Sequence, residues 1–403
     1  MDLELVASLA VPGEAKIVLF VLDGLGGLGA EPGGRTALEA ARTPNLDRLA
    51  REGTCGLHEP VGPGITPGSG PGHLALFGYD PLRYRVGRGV LSALGIDFAL
   101  RPGDVAARGN FCTLDASGEV TDRRAGRIAS EKGRDLCQRL RRAVDVPGVE
   151  LHVEPVKEHR FLLVLRGDGL GADVIDTDPL EPGRAPREPE GADERSRRTA
   201  ELVTRFLREA REVLAGEERA NGVLLRGFAT LPDWPKLPAV TRMRLACAAG
   251  YPMYRGVARL VGMDVLEVGP TLEDRFAAVG ARWGDLDYAF VHEKGTDSAG
   301  EDGDFERKRA RIEEVDAKLD RLLALDPDVI VVTGDHSTPS RLAAHSFHPV
   351  PLLLWAPRTG RPDDVDRFGE RACMRGGLGP RLPGSAVMAL AMGHALRLRK
   401  FGA

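Results

Sequence analysis

Ile17-Val18-Leu19-Phe20-Val21-Leu22-Asp23-Gly24 is the stretch that decides the fold. An unbroken apolar run of this length, closed by an acid and a glycine-rich turn, fits a strand covered on both faces. A strand with one wet face would alternate instead. The pattern returns near the other end of the chain, where Val329-Ile330-Val331-Val332-Thr333 runs into Gly334-Asp335-His336. Asp287 to His292 reads as another strand with Asp297 just beyond it, and Pro351 to Trp355 as one more. Helical patterns separate them. Thr43 is placed as an N-cap with Pro44 at the first helical position, and Leu46, Leu49 and Ala50 share a face. From about Phe305 to Leu325, Ile312, Val315, Leu319 and Leu322 line one side, and Ala386 to Leu398 closes the chain as a helix. Strands alternating with helices predict an α/β fold with a mostly parallel sheet sandwiched by helices. Ligands of such sheets belong at the carboxyl ends of the strands.

Residues 61–72 read as a glycine/proline loop, with a short helix following at His73 to Phe77. The middle of the chain has a different character. It is arginine-rich, with alternating strand-like stretches such as Arg160 to Leu165, a polar surface loop over 181–198 and a helix from about Arg197 to Leu214. These features predict a discontinuous main domain, 1–86 with 231–403, and an inserted smaller α+β domain over 87–230. The chain would cross between them near residues 85 and 232, beside Gly87 and Gly89 and beside Pro232, Pro235 and Pro238.

The 403 residues are 42% hydrophobic and 28% charged, which suits a globular protein with a sizeable core. A formal net charge of -4 gives no field that would draw the whole protein to nucleic acid or to anionic lipid. Cys55, Cys112, Cys137, Cys247 and Cys373 are widely spaced and contain no CxxC pair. Neither a disulfide framework nor a cysteine zinc site is expected, in keeping with a reducing compartment. With no basic N-terminal region and no apolar run long enough to span a bilayer, the expected location is the cytoplasm.

Asp23, Ser69, Asp297, Glu301, Asp335, His336 and His345 all fall at or near predicted strand ends. Mixed carboxylate and imidazole sets hold divalent ions such as Mn2+ or Zn2+. Two such ions about 4 Å apart can clamp the entering and leaving oxygens of a phosphoryl displacement, and a nearby serine hydroxyl can serve as nucleophile. Taken singly, each residue has a plainer reading as a helix cap, a turn residue or a structural histidine; of His345 and His348, both near a strand start, one is expected to be structural. The set is more specific than its members because all share one sheet edge.

Several longer motifs carry a family resemblance. Val21-Leu-Asp23-Gly-Leu-Gly, Thr43-Pro-Asn-Leu-Asp-Arg-Leu-Ala50, Pro67-Gly-Ser69, His73-Leu-Ala-Leu-Phe-Gly-Tyr-Asp-Pro81, Gly103-Asp-Val-Ala-Ala-Arg-Gly-Asn110, Asp122-Arg-Arg-Ala-Gly-Arg-Ile128, Tyr254-Arg-Gly-Val-Ala-Arg-Leu-Val-Gly-Met263 and Thr333-Gly-Asp-His336 resemble those of archaeal-type cofactor-independent phosphoglycerate mutases, within the alkaline phosphatase superfamily. The resemblance implies an alkaline-phosphatase-like sheet and interconversion of 3-phosphoglycerate and 2-phosphoglycerate through a phosphoserine on Ser69. It implies two divalent ions, Mn2+ first, with Mg2+, Co2+ or Zn2+ as alternatives. Asp23, Ser69, Asp335 and His336 would hold one ion, and Asp297, Glu301 and His345 the other. Two positions depart from the family pattern. Glu301 stands where a histidine is usual, which shifts metal preference towards harder ions, and Gly70 follows the nucleophile where an aspartate is common. Thr66 is a rival nucleophile. Arg108, Asn110, Arg123, Arg124, Arg127, His159 and Arg226 are candidates for gripping the phosphate and carboxylate of a small phosphorylated acid, which the planar guanidinium fork suits. The inserted domain would close over the site and keep water from the phosphoserine. Another phosphatase or phosphotransferase of the superfamily, or a non-catalytic metal-stabilised binding protein, are the alternative readings. Oligomeric state has no signature in the sequence.

Overall fold

The computed structural model describes residues 2–402, which form two compact units, 2–85 with 234–402 and Val86–Asp233. In the first unit an eight-stranded sheet runs in the order Gly379–Pro383, Thr54–Glu59, Val350–Trp355, Val329–Thr333, Ile17–Leu22, Tyr288–Glu293, Leu245–Ala248 and Asp264–Val265. Val350–Trp355 is antiparallel to both its neighbours, and every other pairing is parallel. The central strand Ile17–Leu22 is buried along its whole length. Phe20 on it meets Phe276 edge-on at 5.6 Å between ring centroids. Burial of one such large side chain contributes about 1.5–3 kcal/mol, so the apolar run both selects the strand and anchors the sheet.

Parallel pairing fixes where the strands end. Leu22 lies opposite Glu293, and Val21 opposite Thr333, so the chain leaves three adjacent strands at one level. Asp23, Asp335 and the helix Gly295–Glu301 that carries Asp297 therefore start from the same edge.

Two local expectations are corrected. Thr43 occupies the N-cap of the helix Pro44–Glu52, but its side chain makes no capping bond and reaches Asp47 instead. The free backbone N–H groups of Asn45 and Leu46 are taken by the carboxylate of Asp316, from the helix Phe305–Leu323. The other helix begins at Ser69, not His73, and runs to Leu76. Gly70 and Gly72 disguise it, because glycine is a poor helix former. Pro71 is tolerated because its missing N–H falls in the first turn, where it would have no helical partner. Ser69 is thus the first helical residue rather than part of a flexible loop.

In the second unit an antiparallel sheet is built around Val105–Leu114, which pairs with Arg160–Arg166, Gly222–Ala229 and Val120–Asp122; Glu150–Lys157 adds to Arg160–Arg166. The helices Ser130–Ala143 and Glu194–Leu214 share its apolar core through Leu136, Leu140, Val203 and Phe206. The second of these starts three residues earlier than Arg197, because Asp193 caps it by accepting the Ser196 N–H at 2.8 Å. The C-terminal helix spans Val387–His394, shorter than expected. No helix among the described residues is long and apolar enough to cross a membrane.

Candidate active site

The sheet edge collects the acids and histidines into two groups that could hold a metal ion: Asp23 with Asp335 and His336, and Asp297 with His336 and His345. Asp23, Asp297, Asp335 and His336 are fully buried. His336 Nε2 lies 3.3 Å from Asp23 Oδ1, 3.2 Å from Asp335 Oδ2 and 3.1 Å from Ser69 Oγ. Thr66, the rival nucleophile, is exposed.

Hydrogen bonding assigns the tautomer of His336. Thr338 has one hydroxyl proton and donates it to Asp297 Oδ1 at 2.6 Å. His336 Nδ1, 3.0 Å from the same hydroxyl, must then be the donor there. Burial keeps the ring neutral by holding its pKa below the ordinary value against the pull of Asp335 and Asp23. Its Nε2 lone pair therefore faces two carboxylate oxygens. Neither Asp23 Oδ1 nor Asp335 Oδ2 has a hydrogen-bond partner. His73 Nδ1 is 3.2 Å from Asp335 Oδ2, but donates to the Ser69 carbonyl at 2.8 Å. A lone pair turned towards two unpaired buried carboxylate oxygens is repulsive unless a cation lies among them. The donor set of the first group fits a divalent ion on this ground.

The second group follows the same logic. His345 Nδ1 donates to the Pro67 carbonyl at 3.0 Å, which turns Nε2 towards Asp297 Oδ1 and Glu301 Oε1, each 3.7 Å away. The His345 ring stacks on His336 at 3.6 Å. Glu301 is half exposed and stands outside the tight group, beside His345. Because the one lone pair of His336 faces Asp23 and Asp335, the second group comprises Asp297 and His345 with Glu301 at its margin.

In the second unit, Arg108 and Arg226 lie opposite each other on paired strands. His159 is buried, and burial together with Arg160, Arg124, Arg108 and Arg127 depresses its pKa to about 3. Neither ring nitrogen of His159 has a hydrogen bond, nor does the buried Asn110 Oδ1. Like charges gathered around unfilled hydrogen-bonding groups suit a small anion. Arg123 differs from its neighbours, since its Nε and Nη2 both donate to the buried carboxylate of Asp178 at 2.7 Å. Arg226 also faces inward, with 3.5 Å to Asp178 and 3.8 Å to Asp176.

The family model for 2,3-bisphosphoglycerate-independent phosphoglycerate mutase matches residues 50–219. A probable 2,3-bisphosphoglycerate-independent phosphoglycerate mutase of Thermus thermophilus is 52% identical to this chain over 100% of both sequences. The chain belongs to the 2,3-bisphosphoglycerate-independent phosphoglycerate mutase family. A protein of the same name from Aquifex aeolicus is 46% identical, again over 100% of both. Among solved structures, a Pyrococcus horikoshii protein is similar with a TM-score of 0.82 and 31% identity, over 97% of this chain and 100% of that one. The cofactor-independent phosphoglycerate mutase of Thermoplasma acidophilum has a TM-score of 0.68 and 33% identity, over 95% and 100%.

Four side chains packed against this cluster escaped the sequence reading: His73, Tyr254, His292 and Lys294. Tyr254 Oη and His292 Nε2 both donate to Asp23 Oδ2, and Lys294 Nζ is 3.2 Å from the same oxygen and ion-paired with Asp297. Burial by itself would raise the Asp23 pKa. The Lys294 ammonium and the histidines outweigh it and hold the carboxyl well below the usual range. His73 is pulled the other way from burial, its pKa raised by Asp335. Two of the four were visible as the opening residues of family-like motifs, His73 and Tyr254. His292 and Lys294 sit at the end of a strand, where the nearby Asp297 drew attention away from them.

Proposed function

We propose that this chain interconverts 3-phosphoglycerate and 2-phosphoglycerate, with Ser69 as the phosphoryl carrier. In this reading Asp23, Ser69, Asp335 and His336 hold one divalent ion and Asp297, His345 and Glu301 a second, with Mn2+ foremost. When bound, the ions supply Lewis acidity and neutralise charge on the phosphoryl group. Ser69 Oγ attacks phosphorus; its bond to phosphorus forms as the substrate's ester P–O bond breaks. The departing glycerate oxygen takes up a proton to match the one Ser69 gives up. Return of the phosphoryl group to the other glycerate hydroxyl reverses these changes. Ser69 is suited to the role as the first residue of a helix, whose positive end favours an anion. Arg108, Arg124, Arg127 and His159 offer donors for the carboxylate or phosphate of the substrate, while Asp178, held by Arg123, also lies beside Arg226. A cytoplasmic location agrees with five buried free cysteines.

The observation that carries the proposal is the convergence of Ser69 Oγ, the His336 lone pair and the unpaired oxygens of Asp23 and Asp335 within hydrogen-bonding reach. The test follows 3-phosphoglycerate conversion and phosphate release side by side. The expected result is 2-phosphoglycerate from the wild type and no turnover from Ser69→Ala, with an unchanged thermal midpoint. Rapid phosphate release with no 2-phosphoglycerate makes the protein a phosphatase. Turnover by Ser69→Ala moves the nucleophile to Thr66 or water.

A further inference from the structure

We propose that Tyr254 and His292 are positioning residues that commit Asp23 to a single ligating oxygen, a role that rests on the metal reading above. Asp23 is fully buried, and its two oxygens have opposite surroundings. Oδ2 accepts from Tyr254 Oη and from His292 Nε2 at 3.1 Å, with Lys294 Nζ at 3.2 Å. Oδ1 accepts from nothing and lies 3.3 Å from the His336 lone pair. A carboxylate oxygen has two lone pairs. The two neutral donors occupy both on Oδ2, and the Lys294 ammonium sits beside it, so no lone pair is left there for a metal ion; Oδ1, which has no partner, is the oxygen next to His336.

The donors are themselves held. Tyr254 stands on the helix Pro252–Leu260 and His292 on the strand Tyr288–Glu293. Their rings stack at 3.6 Å with 26° between planes, and His73 packs against both, at 4.9 Å and 5.2 Å. Rotation of the Asp23 carboxylate about its Cβ–Cγ bond would break two hydrogen bonds from two separate elements. Without the Tyr254 hydroxyl, part of that restraint is gone, and ordering the carboxylate has to be supplied by the ion at the expense of affinity. Partners of this kind change metal affinity by about 10–100-fold.

The test uses the full chain, stripped of metal and titrated with Mn2+ by calorimetry. An Asp297→Asn background isolates the ion at Asp23. Tyr254→Phe keeps the stacked ring and removes only the hydroxyl. Expected are an affinity about 10-fold weaker for that ion, a metal-free thermal midpoint close to wild type, and recovery of turnover at high Mn2+ when Tyr254→Phe is assayed without the background substitution. His292→Gln, which keeps a donor, should bind better than His292→Phe, and this pair gives the same reading if Tyr254→Phe does not fold. Unchanged Mn2+ affinity in Tyr254→Phe, or equal affinity in the two His292 variants, overturns the positioning role alone. Failure of the wild type to bind Mn2+ overturns the metal reading and this role with it.

Discussion

A methyl group on Gly72 should disable Ser69 without replacing any side chain that does chemistry. A Cβ at position 72 would lie 2.3 Å from the Asp335 carbonyl oxygen, 3.0 Å from its carbonyl carbon and 3.1 Å from its Cβ. The obstacle is mainly backbone, so no rotamer change relieves it. Asp335 cannot retreat easily, because its carboxylate accepts the Gly24 N–H and its strand is central to the sheet. The helix Ser69–Leu76 must withdraw instead, by about 1 Å to reach ordinary contact, and Ser69 moves with it. Overpacking of this kind costs about 1–3 kcal/mol of stability, and a displacement of about 1 Å at a reacting group costs about 100-fold in rate. Gly68→Ala is the control one residue before Ser69. Its Cβ would find only Pro71 Cδ, at 3.8 Å, so it should cost at most about 1 kcal/mol as a poorer cap and leave the rate near wild type. Steady-state conversion of 3-phosphoglycerate and urea unfolding of both variants supply the comparison. A Gly72→Ala enzyme within about threefold of the wild-type kcat, or a Gly68→Ala enzyme equally damaged, would refute the claim that helix position places the nucleophile.

Glu301→His should keep activity but change which metal supports it best, towards Zn2+ or Co2+, because imidazole is the softer ligand; an identical metal profile would show that position 301 does not reach the ion beside His345. His58 reports on acid stability. It is fully buried, donates to the Gly334 carbonyl at 3.0 Å, and burial lowers its pKa from 6.5 to about 4. The unfolded chain therefore takes up this proton first as pH falls. The contribution is complete above pH 6.5 and is lost progressively down to about pH 4, for a total of about 3 kcal/mol. His58→Gln keeps a donor and removes the titration, so unfolding free energy should fall less steeply across that window, by about one proton; an equal slope in variant and wild type counts against the buried neutral histidine.

The sheet was legible in the sequence because its central strands are buried on both faces. Continuous apolar runs such as Ile17–Leu22 and Val329–Thr333 have no other ready explanation, and parallel pairing then forces Asp23, Asp335 and Asp297 to one edge. The motif set around Ser69 and His336 pointed to the family for the same reason: residues at strand ends are local in sequence. Tertiary contact decided what local pattern does not encode. Gly70-Pro71-Gly72 is a poor helix by propensity, and becomes one where glycine alone fits against the Asp335 backbone. The N-terminus of Pro44–Glu52 is capped by Asp316, more than two hundred and fifty residues away, not by the adjacent Thr43. Arg123 and Arg124 are neighbours of identical type, yet only Arg123 is tied through Nε and Nη2 to Asp178. Tyr254 and His292 reach Asp23 from distant elements. Hydrophobic periodicity acts between near neighbours and is written along the chain, whereas hydrogen-bond direction, tautomer and close approach of backbones arise only when remote segments pack together.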